Sequence, residues 1–103
     1  MFRMHAVYPA TEDAKFDWDY YKTKHFDLVK ETLKDHGLVA AGASECVPGP
    51  DGSPSPYVAV ATIDFESAEK FAAGFSVAAP ILMADIPNFT TIQPVITVGP
   101  VHS

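Results

Sequence analysis

Apolar residues return along this chain with two different periods. Between Phe2 and Tyr8 they alternate, with Phe2, Met4, Ala6 and Tyr8 on one side and Arg3, His5 and Val7 on the other. A period of two predicts a strand, which Pro9 ends. From Phe16 to His36 the spacing becomes helical. Wound at about 100° per residue, the stretch places Trp18, Tyr21, His25, Leu28, Val29, Thr32, Leu33 and His36 on one side. Asp19, Lys24, Asp27, Lys30, Glu31 and Lys34 take the other side or its margins. Asp17 can accept from the free N–H groups of the first turn, and Gly37 supplies the stop past the helix end.

Leu38 to Val47 is small and mostly apolar and reads as a second strand, bent at Gly42. The proline- and glycine-rich run from Pro48 to Pro56 is the tip of a long hairpin, and Tyr57 to Phe65 is the third strand. Ser67 or Asp64 is placed to cap a second helix that buries Phe71 and Phe75 and frays at Gly74. A separate short helical segment is expected to begin at Pro80. Pro87 to Phe89 is a turn, and Phe89 to Val98 is the last strand. Pro94 cannot donate to a ladder, which puts that point on an edge or at a bulge.

The order is β-α-β-β-α-β, the ferredoxin-like plan: an α+β fold with a four-stranded antiparallel sheet and both helices on one face. The chain, residues 1–103, is expected to form one domain of this kind. A monomer would leave the other sheet face wet, and its strands would then alternate cleanly between apolar and polar. They do not: Ala59, Ala61 and Ile63 are opposed by Val58, Val60 and Thr62, and Val95 by Ile92, Ile96 and Val98. Since the helices cover one face only, the pattern predicts a homodimer packed sheet to sheet.

Charge narrows the partners. Seven Lys and Arg against 13 Asp and Glu give a net charge of −6, with no basic cluster, which argues against nucleic acid or an anionic membrane. No run of about 18 apolar residues occurs, so no membrane span is expected. The single cysteine, Cys46, suits a reducing, cytoplasmic location. His5, His25, His36, His102 and Cys46 lack the short spacing of a metal site, and neither a metal nor another cofactor is expected.

One residue breaks the apolar pattern in a chemically useful way. His25 stands mid-face in the long helix, where a core helix would carry Leu or Ile, with Tyr21 one turn before it. In an apolar setting a neutral imidazole can act as a general base, with Tyr21 orienting it or donating to a substrate oxygen. A core histidine bonded to a backbone carbonyl fits the same spacing. Trp18, Met4, Tyr8, Phe75 and Met83 are candidates to line an apolar pocket, or are simply core. Asp85, ahead of Ile86-Pro87, is placed where it could reach the pocket but reads first as a turn former, and Asp17 reads as a cap.

FDWDYYKTKHFDLVKETL in the first helix and ADIPNFTTIQPVIT near the end resemble the EthD-like proteins of the dimeric α/β-barrel superfamily. The specific parts are the Tyr20-Tyr21 pair with His25 four residues on, and the Asp85-Ile86-Pro87-Asn88-Phe89 run. The resemblance implies ferredoxin-like protomers that join their sheets into a barrel, each with a pocket between the sheet and the long helix. The family's type member is associated with bacterial breakdown of an alkyl ether beside a cytochrome monooxygenase. The wider superfamily holds cofactor-free monooxygenases, polyketide cyclases, a lactone isomerase and haem-binding enzymes, so it narrows architecture more than chemistry.

Two functions follow as expectations. In the first, the protein performs acid–base chemistry (isomerisation, cyclisation or cofactor-free oxidation) on a hydrophobic, oxygen-bearing small molecule, with His25 as proton acceptor and Tyr21 as helper. In the second, it is a non-catalytic carrier of such a compound for a partner monooxygenase.

Overall fold

The structure, a computed structural model, describes residues 1–102. Strands β1 (Phe2–Pro9), β2 (Leu38–Glu45), β3 (Tyr57–Phe65) and β4 (Val95–Pro100) form one antiparallel sheet in the order β2-β3-β1-β4. Register sets the character of each face. Met4 lies opposite Ile63, Ala6 opposite Ala61 and Tyr8 opposite Ala59, and all six are buried. Helices cover that inner face, where Val29, Leu33, Ala78 and Leu82 complete the core. Paired alanines at the centre of the face, Ala6 and Ala61, leave space that larger side chains would fill.

The outer face carries Arg3, His5 and Val7 of β1, Val60, Thr62 and Asp64 of β3, and Val95 and Thr97 of β4. Val95 is 52% exposed there. Arg3 donates to both carboxylate oxygens of its cross-strand neighbour Asp64, at 2.6 and 3.0 Å. These bonds, opposed by the cost of burial, hold the Asp64 carboxyl below the usual carboxylate range. Its contribution is therefore complete above the ordinary carboxylate pKa of about 4 and is lost as pH falls through the lower folded value. Asp64→Asn should lower the urea midpoint near neutral pH and make the acid limb shallower below the ordinary carboxylate pKa of about 4. An acid limb as steep as that of the parent protein would contradict this.

The first helical stretch has three parts. A turn of α-helix, α1 (Trp18–Tyr20), is capped by Asp17, whose side chain accepts from the Tyr20 amide at 3.1 Å. A π turn follows over Tyr21–His25, closed where the Phe26 amide reaches the Tyr21 carbonyl. Helix α2 (Phe26–Leu33) completes it, and Gly37 ends it with φ 74°. The uniform helical winding expected from the spacing is thus interrupted, and the interruption falls on the candidate site.

Helix α3 (Ala68–Asp85) corrects the expectation of two short segments. Ser67 caps it, accepting from the Lys70 amide at 3.2 Å, whereas Asp64 is held by Arg3. Gly74 does not fray the helix but permits contact: a Cβ there would lie 2.6 Å from His36 Cβ and 3.2 Å from Leu33 Cδ2. Pro80 sits inside the helix and deprives the Ser76 carbonyl of its amide donor. Both residues are exposed, so water can take the donor's place and the helix runs on. Run together in this way, Ala68–Asn88 has the length and composition of a membrane-crossing helix. Here it forms a layer on the sheet, with Gly74, Ala78 and Leu82 buried.

The last strand also departs from expectation. Phe89 to Gln93 lies outside the sheet, and β4 begins only after Pro94, as an edge strand. Phe89 and Ile92 are buried in the core, and Thr90 makes an isolated bridge to Phe16. Apolar residues there serve the aromatic core rather than a ladder, which period alone does not distinguish.

Candidate functional site

His25 is 6% exposed and lies against Asp85, with Nδ1 2.8 Å from Oδ2. Asp85 is the final residue of α3, where the helix dipole disfavours an anion. Three donors compensate. The Tyr20 hydroxyl donates to Oδ1 at 2.6 Å and the Asn88 amide at 3.0 Å, while His25 holds the other oxygen. Burial pushes the Asp85 pKa up, but hydrogen bonds from Tyr20, Asn88 and His25, with the histidine's charge, outweigh it and leave the carboxyl below its ordinary value. Because Asp85 is ionised and accepts from Nδ1, the tautomer it selects for an uncharged imidazole has the proton on Nδ1 and the lone pair on Nε2. Nε2 has no partner among the described residues, yet no side-chain nitrogen or oxygen is sealed in unpaired. It therefore keeps some accessible surface.

The π turn explains why Tyr20 takes part. In an α-helix residues four apart stack, which pairs Tyr21 with His25 and turns Tyr20 away. A bond from Phe26 back to Tyr21 admits one more residue to the turn, so residues five apart come into line. Tyr20 and His25 are five apart, and both bond Asp85. Tyr21 is 1% exposed and stacks on the imidazole, with centroids 5.4 Å apart and planes 14° apart. Phe89 closes a further side of the ring at 4.6 Å. Its carbonyl is anchored by the Asp17 amide at 2.7 Å, which ties the end of the α3 segment to the start of α1.

A narrow cleft runs beside this ring, over the alanine-lined centre of the sheet. Met4, Tyr8, Tyr21, His25, Phe75 and Met83 line it, with Ala6 and Ala61 as the floor. Water centres have about 30 Å³ of space in it, room for one or two molecules. Met83, 39% exposed, marks its rim. Trp18 is not part of the lining: it packs on Phe16 and Tyr21, at 4.8 and 5.6 Å between centroids. Burial pushes the Tyr8 hydroxyl up to about 12, against an interaction with the Tyr21 hydroxyl that works the other way. Burial, and after it Tyr8, raises Tyr21 further still. Both phenols stay protonated at neutral pH. Among the described residues no three His, Cys, Asp or Glu side chains converge as a metal-ligand set.

Sequence reasoning placed His25, Tyr21, Met4, Tyr8, Phe75 and Met83, and the structure brings these six to one cleft. It missed Tyr20 and Asn88, and for Asp85 it preferred a turn former to a residue reaching the pocket, whereas Asp85 ends a helix and holds the imidazole. The signal was present in two unconnected pieces, the Tyr20-Tyr21 pair and the Asp85–Phe89 run.

A family profile described as the EthD domain matches residues 9–93. No protein of curated function matches the chain. Among solved structures, an EthD-like protein from Ralstonia eutropha JMP134 is 30% identical, with a TM-score of 0.86 over 95% of this chain and 88% of that one. An ethyl tert-butyl ether D family protein from Bacillus halodurans C-125 is 16% identical, with a TM-score of 0.66 over 99% of each chain. An antibiotic biosynthesis monooxygenase shares the fold at 9% identity, with a TM-score of 0.52 over 100% of each chain. With its profile match spanning both the helical stretch that carries His25 and the segment that carries Asp85, the chain belongs to the EthD family.

Proposed function

We propose that the protein carries out acid–base chemistry on a small, hydrophobic, oxygen-bearing molecule held beside His25. The observation that carries this reading is the His25–Asp85 pair facing an apolar cleft. Asp85 fixes the tautomer and supports the charge that the ring gains on taking a proton, the role an acid plays behind a catalytic histidine. Nε2 is the accepting atom, and Tyr21 packs against the ring and keeps it from turning. Phe75 and Met83 meet the apolar body of the ligand, and Met83 and its neighbours must move for anything larger than water to enter. The protomer works as a homodimer, its outer sheet face covered by that of a second copy; the valines of that face, Val95 above all, support this.

β-Naphthol, an apolar hydroxyl compound, serves as a test probe. Its absorbance should show binding and partial ionisation near neutral pH as Nε2 takes the hydroxyl proton. Asp85→Asn, nearly isosteric, should leave the affinity within about tenfold, or 1.4 kcal/mol. It should suppress the ionisation at least tenfold and shift the pH at which ionisation sets in. Unchanged ionisation in that variant, or no binding to the parent protein, would overturn the reading.

A further inference from the structure

Tyr8 forms part of the cleft wall and carries a hydroxyl into a lining that is otherwise almost wholly apolar. Among the described residues lining the cleft, only Tyr8, Tyr21 and His25 can form strong hydrogen bonds, and none is Lys, Arg, Asp or Glu. The two phenols come from different elements, β1 and the π turn, and their rings meet edge to face at 5.8 Å. Among the described residues, each hydroxyl has the other as its neighbour. Two phenols therefore line the same apolar cleft as the imidazole whose Nδ1 is taken by Asp85.

We propose that the Tyr8 and Tyr21 hydroxyls form an oxyanion-binding pair opposite His25 Nε2, and that the substrate class is an uncharged, apolar ketone with an acidic hydrogen on the carbon beside its carbonyl. This rests on the acid–base reading of His25 and specifies it. Charged substrates are disfavoured, because no opposite charge in the lining would compensate for their desolvation. A neutral ketone enters without that penalty and acquires charge only as it reacts. Nε2 takes the α-hydrogen as a proton. The C–H electron pair becomes the carbon–carbon π bond, and the carbonyl π pair moves onto oxygen, giving an enolate. Both phenols donate to that oxygen, where charge has developed, and this lowers the barrier. The imidazolium, supported by Asp85, returns a proton to carbon or oxygen. Nothing is oxidised or reduced, and the products are the tautomers of one compound. Burial, by keeping both phenols protonated, is what makes them donors rather than competing bases.

β-Tetralone in deuterium oxide is the probe, with incorporation of deuterium at its α-carbon followed by NMR against free imidazole at equal concentration. The parent protein should exceed the imidazole rate. Tyr8→Phe and Tyr21→Phe keep the rings and their packing, and each should slow exchange by about 10²-fold, the loss typical of one oxyanion donor. β-Naphthol affinity should stay within about tenfold in both. Normal exchange in both variants would remove the tyrosine pair from the mechanism and leave His25 in place. Exchange no faster than imidazole in the parent protein, with β-naphthol still bound and ionised, would overturn the ketone class alone. Failure of β-naphthol to bind or ionise would instead sink the acid–base reading beneath it. Should Tyr21→Phe lose its thermal transition, Tyr8→Phe, on a paired strand, decides the matter.

Discussion

Replacing His25 by glutamine is expected to cut proton transfer in the cleft by about 10²- to 10⁴-fold, the usual contribution of a positioned acid or base. The variant is chosen so that structure is disturbed least. A glutamine amide can still donate to Asp85, so the buried carboxylate keeps a third partner beside Tyr20 and Asn88. Removing that donor altogether, as alanine would, leaves the anion short of a partner and adds a desolvation cost unrelated to chemistry. Glutamine has no titratable nitrogen, so the loss falls on proton transfer. The checks are ionisation of bound β-naphthol, its dissociation constant and the thermal midpoint, measured together. Ionisation should vanish while affinity stays within about tenfold and the midpoint moves little. If affinity and midpoint collapse together, the ring is a structural core histidine and the reading falls.

The second large effect concerns stability. Gly74→Leu should destabilise the protein by about 1–3 kcal/mol, the usual range for overpacking. Helix propensity alone gives the opposite sign, because leucine is preferred to glycine inside a helix by close to 1 kcal/mol. Packing decides against propensity here. The new Cβ would approach His36 Cβ to 2.6 Å, and a Cβ is fixed by its backbone rather than free to swing aside. Helices α2 and α3 would have to separate, opening the core at Leu33, which is fully buried. For a chain of this size the expected loss is a fall of several degrees in the thermal midpoint. Combining it with His36→Gly should recover part of the loss, since contacting residues are coupled. A midpoint that rises in Gly74→Leu would show that α3 does not pack as closely as described.

Gly74 also marks where reading the chain without its fold goes astray. Glycine and proline break helices on average, so Gly74 and Pro80 read as ends. Whether glycine is a break or a contact depends on what lies across from it, and His36 is 38 positions away in sequence. Phe89 and Ile92 pose the same problem: apolar spacing shows that they are buried, not whether a ladder or an aromatic cluster buries them. By contrast, β1, β3, the Asp17 cap, the Gly37 stop and the order of elements follow from local pattern, and the structure has them.

What the sequence by itself determined, then, was the ferredoxin-like order of elements, the EthD resemblance, and an imidazole turned inward on an otherwise apolar face. Each follows from period, cap and turn chemistry, which act over a few neighbouring residues. Only the tertiary structure decided what that imidazole touches. A π turn of one extra residue swung Tyr20 to the side of His25, and a helix continuing through Pro80 carried Asp85 to it across 60 residues. Neither event has a local signature, because a turn's winding and a helix's reach are settled by what packs against them.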